Sequence, residues 1–142
     1  KQLKNKIKIL EDSKSFHGSL NDIEEILASF GGYEMVQMCG AMLEAYNQNM
    51  IILIDGFIAS TVFLAAEKIN PGIIENAIFC HLSDEKAHAL LLKYLDVNPL
   101  LKLDLRLGEG TGCALAFPII QSSVNFLNEM ASFDSAGVSN RS

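Results

Sequence analysis

The stretch Leu-Asp-Leu-Arg-Leu-Gly-Glu-Gly-Thr-Gly, residues 103–112, joins a short leucine-rich run to three glycines at alternate positions. The leucine-rich run, residues 103–107, predicts a short strand, and residues 113–132 after the loop predict a helix. Pro118 falls inside that segment, so we expect it to bend the helix or delay its start. The stretch is therefore interpreted as one strand–loop–helix unit.

The same order of elements occurs twice upstream. Residues 50–54 are a continuous apolar run bounded by Asp55-Gly56, which predicts a strand buried on both faces, and residues 59–69 predict the following helix. Residues 76–80 fit either a second strand or the end of a helix, and residues 84–95 predict another helix. Three strand–helix units predict the α/β class, with a parallel sheet and crossover helices in a Rossmann-like three-layer arrangement.

Helices are expected before the first strand. One helix is predicted over residues 1–12, a polar break over residues 13–18, and a short helix with acidic residues in its first turn after Asp22. A third helix is predicted from Tyr33 to about Asn47. Its apolar stripe is interpreted as core rather than a cofactor site, and consists of Met35, Met38, Met42 and Tyr46. We expect residues 1–142 to form a single α/β region.

Polar or glycine-rich segments follow each predicted strand. They are Asp55-Gly56, His81-Leu82-Ser83 and the loop at residues 108–112. Because ligands collect at the carboxyl ends of parallel strands, we expect these three segments to meet at one edge of the sheet.

Glu109 lies between two glycines of the loop. Glycines let a backbone approach a ligand closely, and the helix start offers N–H donors to an anion. A carboxylate at the centre would repel phosphate, so Glu109 is interpreted as a proton-transfer group near a ligand. An acidic residue favoured by the helix dipole explains the same pattern equally well.

The other polar residues have simple structural interpretations. Asp55 suits a turn, and Ser83 suits the cap of a helix. His81 is expected to be packed or hydrogen-bonded rather than a metal ligand, whereas His17 and His88 are expected at the surface.

Composition excludes several classes of protein. The chain has 142 residues, a net charge of -6, 49% hydrophobic residues and 20% charged residues, which disfavours disorder and binding to nucleic acid or acidic membranes. No apolar run approaches the roughly 18 residues of a membrane span. Cys39, Cys80 and Cys113 are widely separated, so we expect buried thiols in a reducing compartment, the cytoplasm, rather than disulfides or a zinc site.

Several stretches resemble one family, nicotinate-nucleotide–dimethylbenzimidazole phosphoribosyltransferase. The stretch Arg-Leu-Gly-Glu-Gly-Thr-Gly-Cys-Ala-Leu-Ala at residues 106–116 nearly reproduces its glycine-glutamate signature. Residues 31–43 are similar to its GGFE…GAML segment, residues 53–58 to its VDGF strand end, and residues 81–88 to its HxSAExGH segment. The resemblance covers essentially the whole chain, and it is to the C-terminal part of the family's longer chains.

The resemblance implies transfer of ribose 5-phosphate from nicotinate mononucleotide to 5,6-dimethylbenzimidazole or a related base, giving the α-ribotide of the cobalamin lower ligand. It implies that Glu109 is the general base and that no metal or cofactor is needed. Lys6 is the best match for a phosphate-contacting lysine, with Lys4 as the alternative. The substrate-binding positions it implies are Asp55, Gly56, Ser83, Leu107, Gly108, Gly110, Thr111, Gly112 and Lys6.

The sequence also departs from the family pattern. Nothing matches the family's upstream GxGNTT-type segment, and Asp84, Lys86 and Cys113 replace its usual residues. The resemblance implies a homodimer, and the missing upstream segment favours assembly with an upstream half as the alternative. Two alternatives remain: a shortened, non-catalytic paralogue acting as a binding or dimerisation module, and a generic phosphate-binding α/β protein.

Overall fold

The fold alternates helices and short strands after an opening set of helices. The structure, a computed structural model, describes residues 2–139. Its elements are α1 (Gln2–His17), α2 (Ile23–Phe30), α3 (Tyr33–Asn47), β1 (Ile52–Ile54), α4 (Phe57–Ile69), a 3₁₀ helix (Pro71–Asn76), β2 (Ala77–Phe79), β3 (His81–Ser83), α5 (Lys86–Tyr94), β4 (Leu101–Leu105) and α6 (Thr111–Glu129). The described helices include none that is long and apolar enough to cross a membrane.

The chain divides into two compact units. The first comprises the chain up to Ile52 together with Ile58–Ala77, and the second comprises Leu53–Phe57 and the chain from Ile78 onward. This division does not test the prediction of a single α/β region, which stays a prediction.

The first unit is built on α3 and α4. The N-cap Asp22 starts α2 by accepting the Glu24 N–H at 2.7 Å, as the acidic helix opening predicted. The prediction that the apolar stripe of α3 lies in the core is only partly correct, because Met42 is buried whereas Met38 is 36% exposed. Cys39 supplies the other buried position of α3. In the same unit, Val62, Phe63, Ala66 and Ile73 are also buried.

Helix α1 is longer than predicted. It runs through the expected polar break to His17 and contains no buried residue. Its polar residues at 11–15 include no glycine or proline, so nothing in the backbone interrupts the helix there. The predicted apolar face is present, but Leu3, Ile7 and Leu10 are exposed.

The second unit contains a strand arrangement centred on Cys80. The Cys80 N–H donates to the Ile54 carbonyl at 2.8 Å, and the Cys80 carbonyl accepts from the Leu101 N–H at 3.0 Å. Residues 77–83 thus run between β1 and β4, with β3 and β4 parallel. The α/β class, the parallel strands and the preceding helices are confirmed.

Two details of the strands differ from the prediction. His81–Ser83 is itself strand β3, not only the segment after a strand, because Cys80 links β2 to β3. Strand β4 lies at Leu101–Leu105, two positions before the predicted 103–107. The register passes from Leu82↔Lys102 to Ser83↔Leu105, and Asp104 has φ 50 at this bulge.

Candidate functional site

Asp55, directly after β1, binds the glycine loop through both carboxylate oxygens. Oδ2 accepts the Gly110 N–H at 3.2 Å, and Oδ1 accepts the Cys113 N–H at 3.2 Å. Both donors belong to the opening of α6, where backbone N–H groups have no partner inside the helix. The ionised side chain also suits the positive end of the helix dipole. One carboxylate therefore fixes a loop that lies far later in the chain.

The loop places Glu109 in an unusual backbone conformation. Glu109 has φ 62 and Gly110 has φ 80, both in the left-handed region. For a residue with a side chain this region costs on the order of 1–2 kcal/mol. The turn is closed by Thr111, whose Oγ1 donates to the Gly108 carbonyl at 2.8 Å. The carboxylate of Glu109 is exposed and makes no hydrogen bond or ion pair within residues 2–139, so it is free to meet a ligand.

Two glycines bring the backbone against the imidazole of His81. A Cβ added at Gly56 would lie 3.3 Å from His81 Nε2. One added at Gly112 would overlap the His81 ring and lie 2.7 Å from Asp55 Oδ1. By contrast, nothing lies within 4 Å of a Cβ added at Gly108 or Gly110, so that side of the loop is open.

Two buried histidines lie beneath this loop. His81 is 1% exposed, and its Nε2 lies 3.6 Å from Asp55 Oδ1. His88 is fully buried, and its ring centroid is 6.4 Å from that of His81. The surface position predicted for His88 is wrong, because the residue is fully buried and contacts Ser83 of β3. The interpretation of His81 as a packed residue is confirmed.

Ser83 is held by His88. The Ser83 backbone N–H donates to His88 Nδ1 at 3.0 Å, and the Ser83 hydroxyl lies 2.9 Å from the same nitrogen. The N-cap of α5 is Glu85, so the predicted capping role of Ser83 is wrong. Burial, followed by the neighbouring His81, lowers the pKa of His88, while Asp55 acts in the opposite direction. A neutral His88 that accepts at Nδ1 is consistent with both effects.

Cys80 and Cys113 are two thiols of the same region. Burial, with the neighbouring Cys113 thiol and Asp55, raises the pKa of Cys80 to about 12. Burial also raises the pKa of Cys113. Both are free thiols that do not ionise near neutral pH, in agreement with the expectation of unpaired cysteines.

The predicted convergence at one edge is confirmed for the residues of the second unit. Asp55, Gly56, His81 and the loop 108–112 come together, and Ser83 is joined to His88 beside them. Leu107, proposed as a pocket wall, is 65% exposed. Lys6 lies on α1, exposed and in the other unit, so its phosphate contact stays a prediction. Sequence reasoning placed the segment His81-Leu82-Ser83 at this edge but gave His81 itself no role in the site.

Within the described residues, neither a metal-binding cluster nor the cleft beside α5 and β4 coincides with this site. Within the described residues, no group of three or more His, Cys, Asp or Glu side chains is arranged to hold a metal. A cleft of about 270 Å³ lies beside α5 and β4, and its lining includes Lys93, Asp96 and Lys102 but no predicted site residue. The Glu109 side of the loop is exposed, whereas His81 beneath it is buried.

Comparisons with known proteins show the family of the chain. A family model described as phosphoribosyltransferase matches residues 1–138. The chain belongs to this phosphoribosyltransferase family, which confirms the resemblance found in the sequence.

Individual relatives carry a more specific name. A nicotinate-nucleotide–dimethylbenzimidazole phosphoribosyltransferase from Shewanella piezotolerans is 54% identical over 86% of this chain and 36% of the relative. One of the same name from Cupriavidus taiwanensis is 46% identical over 99% of this chain and 40% of the relative.

A solved structure of the enzyme from Thermus thermophilus is also similar. It has a TM-score of 0.77 and 41% identity, covering 82% of this chain and 35% of that one. The chain thus spans about two fifths or less of the length of these relatives.

Proposed function

We propose that this chain carries the glycine-loop part of a phosphoribosyltransferase that moves ribose 5-phosphate from nicotinate mononucleotide to 5,6-dimethylbenzimidazole or a related base. The observation that carries this proposal is the fixed, outward-facing loop of Glu109, bound through Gly110 and Cys113 to Asp55. Relatives of the same printed name support the choice of reaction. The product is an α-ribotide, and nicotinate is released.

In this reaction one benzimidazole nitrogen attacks the anomeric carbon of the ribose. A carbon–nitrogen bond forms there while the bond to nicotinate breaks, and its electron pair returns to the pyridine nitrogen. That nitrogen is quaternary in the substrate, which makes nicotinate a good leaving group. Attack from the opposite face inverts the anomeric carbon and gives the α configuration, so positioning of the two reactants contributes much of the acceleration.

Glu109 is the proposed general base. The benzimidazole must lose the proton of its other nitrogen as it attacks, and the Glu109 carboxylate accepts that proton. The side chain is exposed and unpaired within the described part of the chain, which leaves its oxygens available to the acceptor. The left-handed backbone at Glu109 fits a residue held in one orientation for a task, because such strain concentrates at functional sites.

The remaining site residues are proposed to bind the nucleotide and the acceptor. Gly108, Gly110, Thr111 and Gly112 would let the nucleotide approach the backbone, with Asp55, Gly56 and Ser83 beside it. Leu107, exposed next to the loop, would form one wall for the benzimidazole. Lys6 is proposed to contact phosphate.

The setting of the reaction is also a proposal. The relatives are more than twice as long as this chain, and the rest of their length would supply the other walls of the substrate site. We propose that the working protein is cytoplasmic and acts as a homodimer, or through assembly with such an upstream half.

A chimera tests the function directly. This chain replaces the matching 36% of the Shewanella piezotolerans relative, and α-ribotide formation is followed by chromatography with nicotinate mononucleotide and dimethylbenzimidazole. We expect turnover by the chimera and a loss of about 10²- to 10⁴-fold on Glu109→Gln, the usual contribution of a general base. Glu129→Gln, at the exposed end of α6, is the matched control and should leave the rate unchanged.

The second candidate is a non-catalytic binding or assembly module. It is favoured by α6, whose residues from 121 onward are all exposed and include Phe126 at 64% and Leu127 at 85%. On that account, the chimera forms an oligomer but makes no α-ribotide, and Glu109→Gln changes nothing that can be measured.

A further inference from the structure

His81 is a buried imidazole whose two ring nitrogens both lack a hydrogen bond within the described residues. The side chain is 1% exposed, and neither Nδ1 nor Nε2 has a partner. A buried polar atom left unpaired costs about 1–3 kcal/mol. The nearest charged group is the Asp55 carboxylate, whose Oδ1 lies 3.6 Å from Nε2. This separation is within ion-pair range but slightly too long for a hydrogen bond.

The position of the His81 ring is fixed by the backbone around it. Gly112 approaches so closely that no side chain would fit there, and Gly56 lies against Nε2. The gap between His81 and Asp55 therefore closes by a small movement of the carboxylate rather than of the ring. A movement of less than about 1 Å would bring the two atoms to hydrogen-bond distance.

The second ring, His88, is already held by a hydrogen bond from Ser83. Its Nδ1 accepts from the Ser83 N–H at 3.0 Å and so carries no hydrogen. Burial and the neighbouring His81 lower the pKa of His88. Two rings 6.4 Å apart in a buried region do not both carry a positive charge readily. Nε2 of His81 is the imidazole nitrogen that lies next to the Asp55 carboxylate, at 3.6 Å from Oδ1.

We propose that His81 is a positioning residue whose Nε2–H donates to Asp55 Oδ1 and thereby holds the carboxylate that fixes the loop of Glu109. The same oxygen accepts the Cys113 N–H, so the histidine and the loop share one acceptor. The titratable groups around His81 are Asp55 after β1, His88 on α5, and the thiols of Cys80 and Cys113. The consequence of the His81–Asp55 contact for catalysis rests on the proposed function, but the effect of this contact on the loop does not.

Nitrogen NMR of the ¹⁵N-labelled chain tests the contact without any substrate. We expect His81 to carry a proton on Nε2, and the Gly110 and Cys113 amide signals to shift in His81→Gln. The Asp55→Asn substitution should abolish this coupling while the Ile54 amide, in the same unit, stays unaffected. The proposal would be overturned by a His81 proton on Nδ1 alone, or by Gly110 and Cys113 amide signals that do not respond to a change at His81.

Amide exchange in two variants provides a second test. In His81→Leu, the Gly110 and Cys113 amides should exchange about 10- to 100-fold faster relative to the Leu92 amide of α5, as expected for the loss of one charge-assisted hydrogen bond. His81→Gln, which keeps a donor near the position of Nε2, should restore most of the protection. Equal exchange rates of the Gly110 and Cys113 amides in both variants and in the unsubstituted chain would contradict the positioning role of His81. If His81→Leu does not fold, the NMR test of the unsubstituted chain still decides.

The two proposals fail in different ways. Coupling between His81 and the loop without α-ribotide formation would remove the proposed function and leave the positioning role. Formation of α-ribotide without that coupling would remove the positioning role of His81 and leave the proposed function.

Discussion

Gly112 lies so close to His81 that a single methyl group on its α-carbon would overlap the imidazole ring. The same methyl group would lie 2.7 Å from Asp55 Oδ1. A glycine in the opening turn of α6 thus allows the loop to reach Asp55 while the histidine stays buried. This close approach gives a physical reason for glycine at position 112 that does not depend on the substrate.

The Gly112→Ala substitution should therefore destabilise the chain. Overpacking of this kind typically costs about 1–3 kcal/mol, and both neighbours of the new methyl group are enclosed. The free energy of unfolding is measured by urea denaturation. Gly108→Ala is the control in the same loop, where the space is open, and it should change the stability by less than about 0.5 kcal/mol. Equal effects of the two substitutions would contradict the packing described for His81.

The Asp55→Asn substitution should loosen the loop. It removes the charge from two hydrogen bonds, to Gly110 and Cys113, and we expect a loss of about 1–3 kcal/mol in the free energy of unfolding. Asp84→Asn is the matched control, because its contact with Arg106 at 3.5 Å is exposed and worth at most about 1 kcal/mol. A smaller effect at position 55 than at position 84 would mean that Asp55 does not hold the loop.

Replacement of Glu109 by glycine should fit the left-handed backbone conformation at this position. Glu109→Gly removes the cost of the left-handed conformation, although glycine loses more entropy on folding, so we expect unfolding free energies equal to or up to about 1 kcal/mol above those of Glu109→Gln. Both variants lose the carboxylate, and both should lose turnover in the chimera. A Glu109→Gly variant clearly less stable than Glu109→Gln would contradict the backbone conformation described for this residue.

His88 should make stability depend on pH. Its pKa is lowered from the usual 6.5, so the unfolded chain takes up its proton first as the pH falls. The contribution is fully present above pH 6.5 and is lost as the pH falls through the folded-state pKa. Urea denaturation at pH 7.5, 6.5 and 5.5 should therefore show decreasing stability, with a shallower slope in His88→Gln. An identical slope in the unsubstituted chain and in His88→Gln would mean that another group causes the pH dependence.

The pH range of that measurement lies above the range in which a second group, Glu44, affects the stability. Hydrogen bonds from Gln48 and Asn47 lower the pKa of Glu44 from 4.5, so its contribution is lost only at more acid pH. Measurements above pH 5 therefore report on His88 with little interference from Glu44.

Much of this architecture follows from local sequence. Helix α3 begins and ends at the predicted residues, because Gly31-Gly32 and the polar residues after Asn47 bound a long helical pattern. The meeting of Asp55 with the glycine loop also follows, since parallel strands bring their carboxyl ends to one edge. The first depends on residues that flank the helix, and the second on the general geometry of parallel strands, although Asp55 and the loop are far apart in the sequence.

The remaining features depend on contacts that no local pattern records. His88 is buried through its contacts with Ser83 and His81, which lie outside its own helix. The end of β4 shifts because the bulge at Asp104 is set by pairing with Ser83. The closeness of Gly112 to His81 and the link from His88 to Ser83 are likewise properties of tertiary packing.

The central claim is that Glu109 removes a proton from the attacking benzimidazole, and one ratio of rates tests it most directly. The chimera is assayed with dimethylbenzimidazole and with a 1-methylbenzimidazole, which attacks through its free nitrogen and has no N–H proton to lose. The account predicts that Glu109→Gln slows transfer to dimethylbenzimidazole by about 10²- to 10⁴-fold and leaves transfer to the methylated acceptor nearly unchanged. An equal loss with both acceptors would contradict the role of Glu109 as general base.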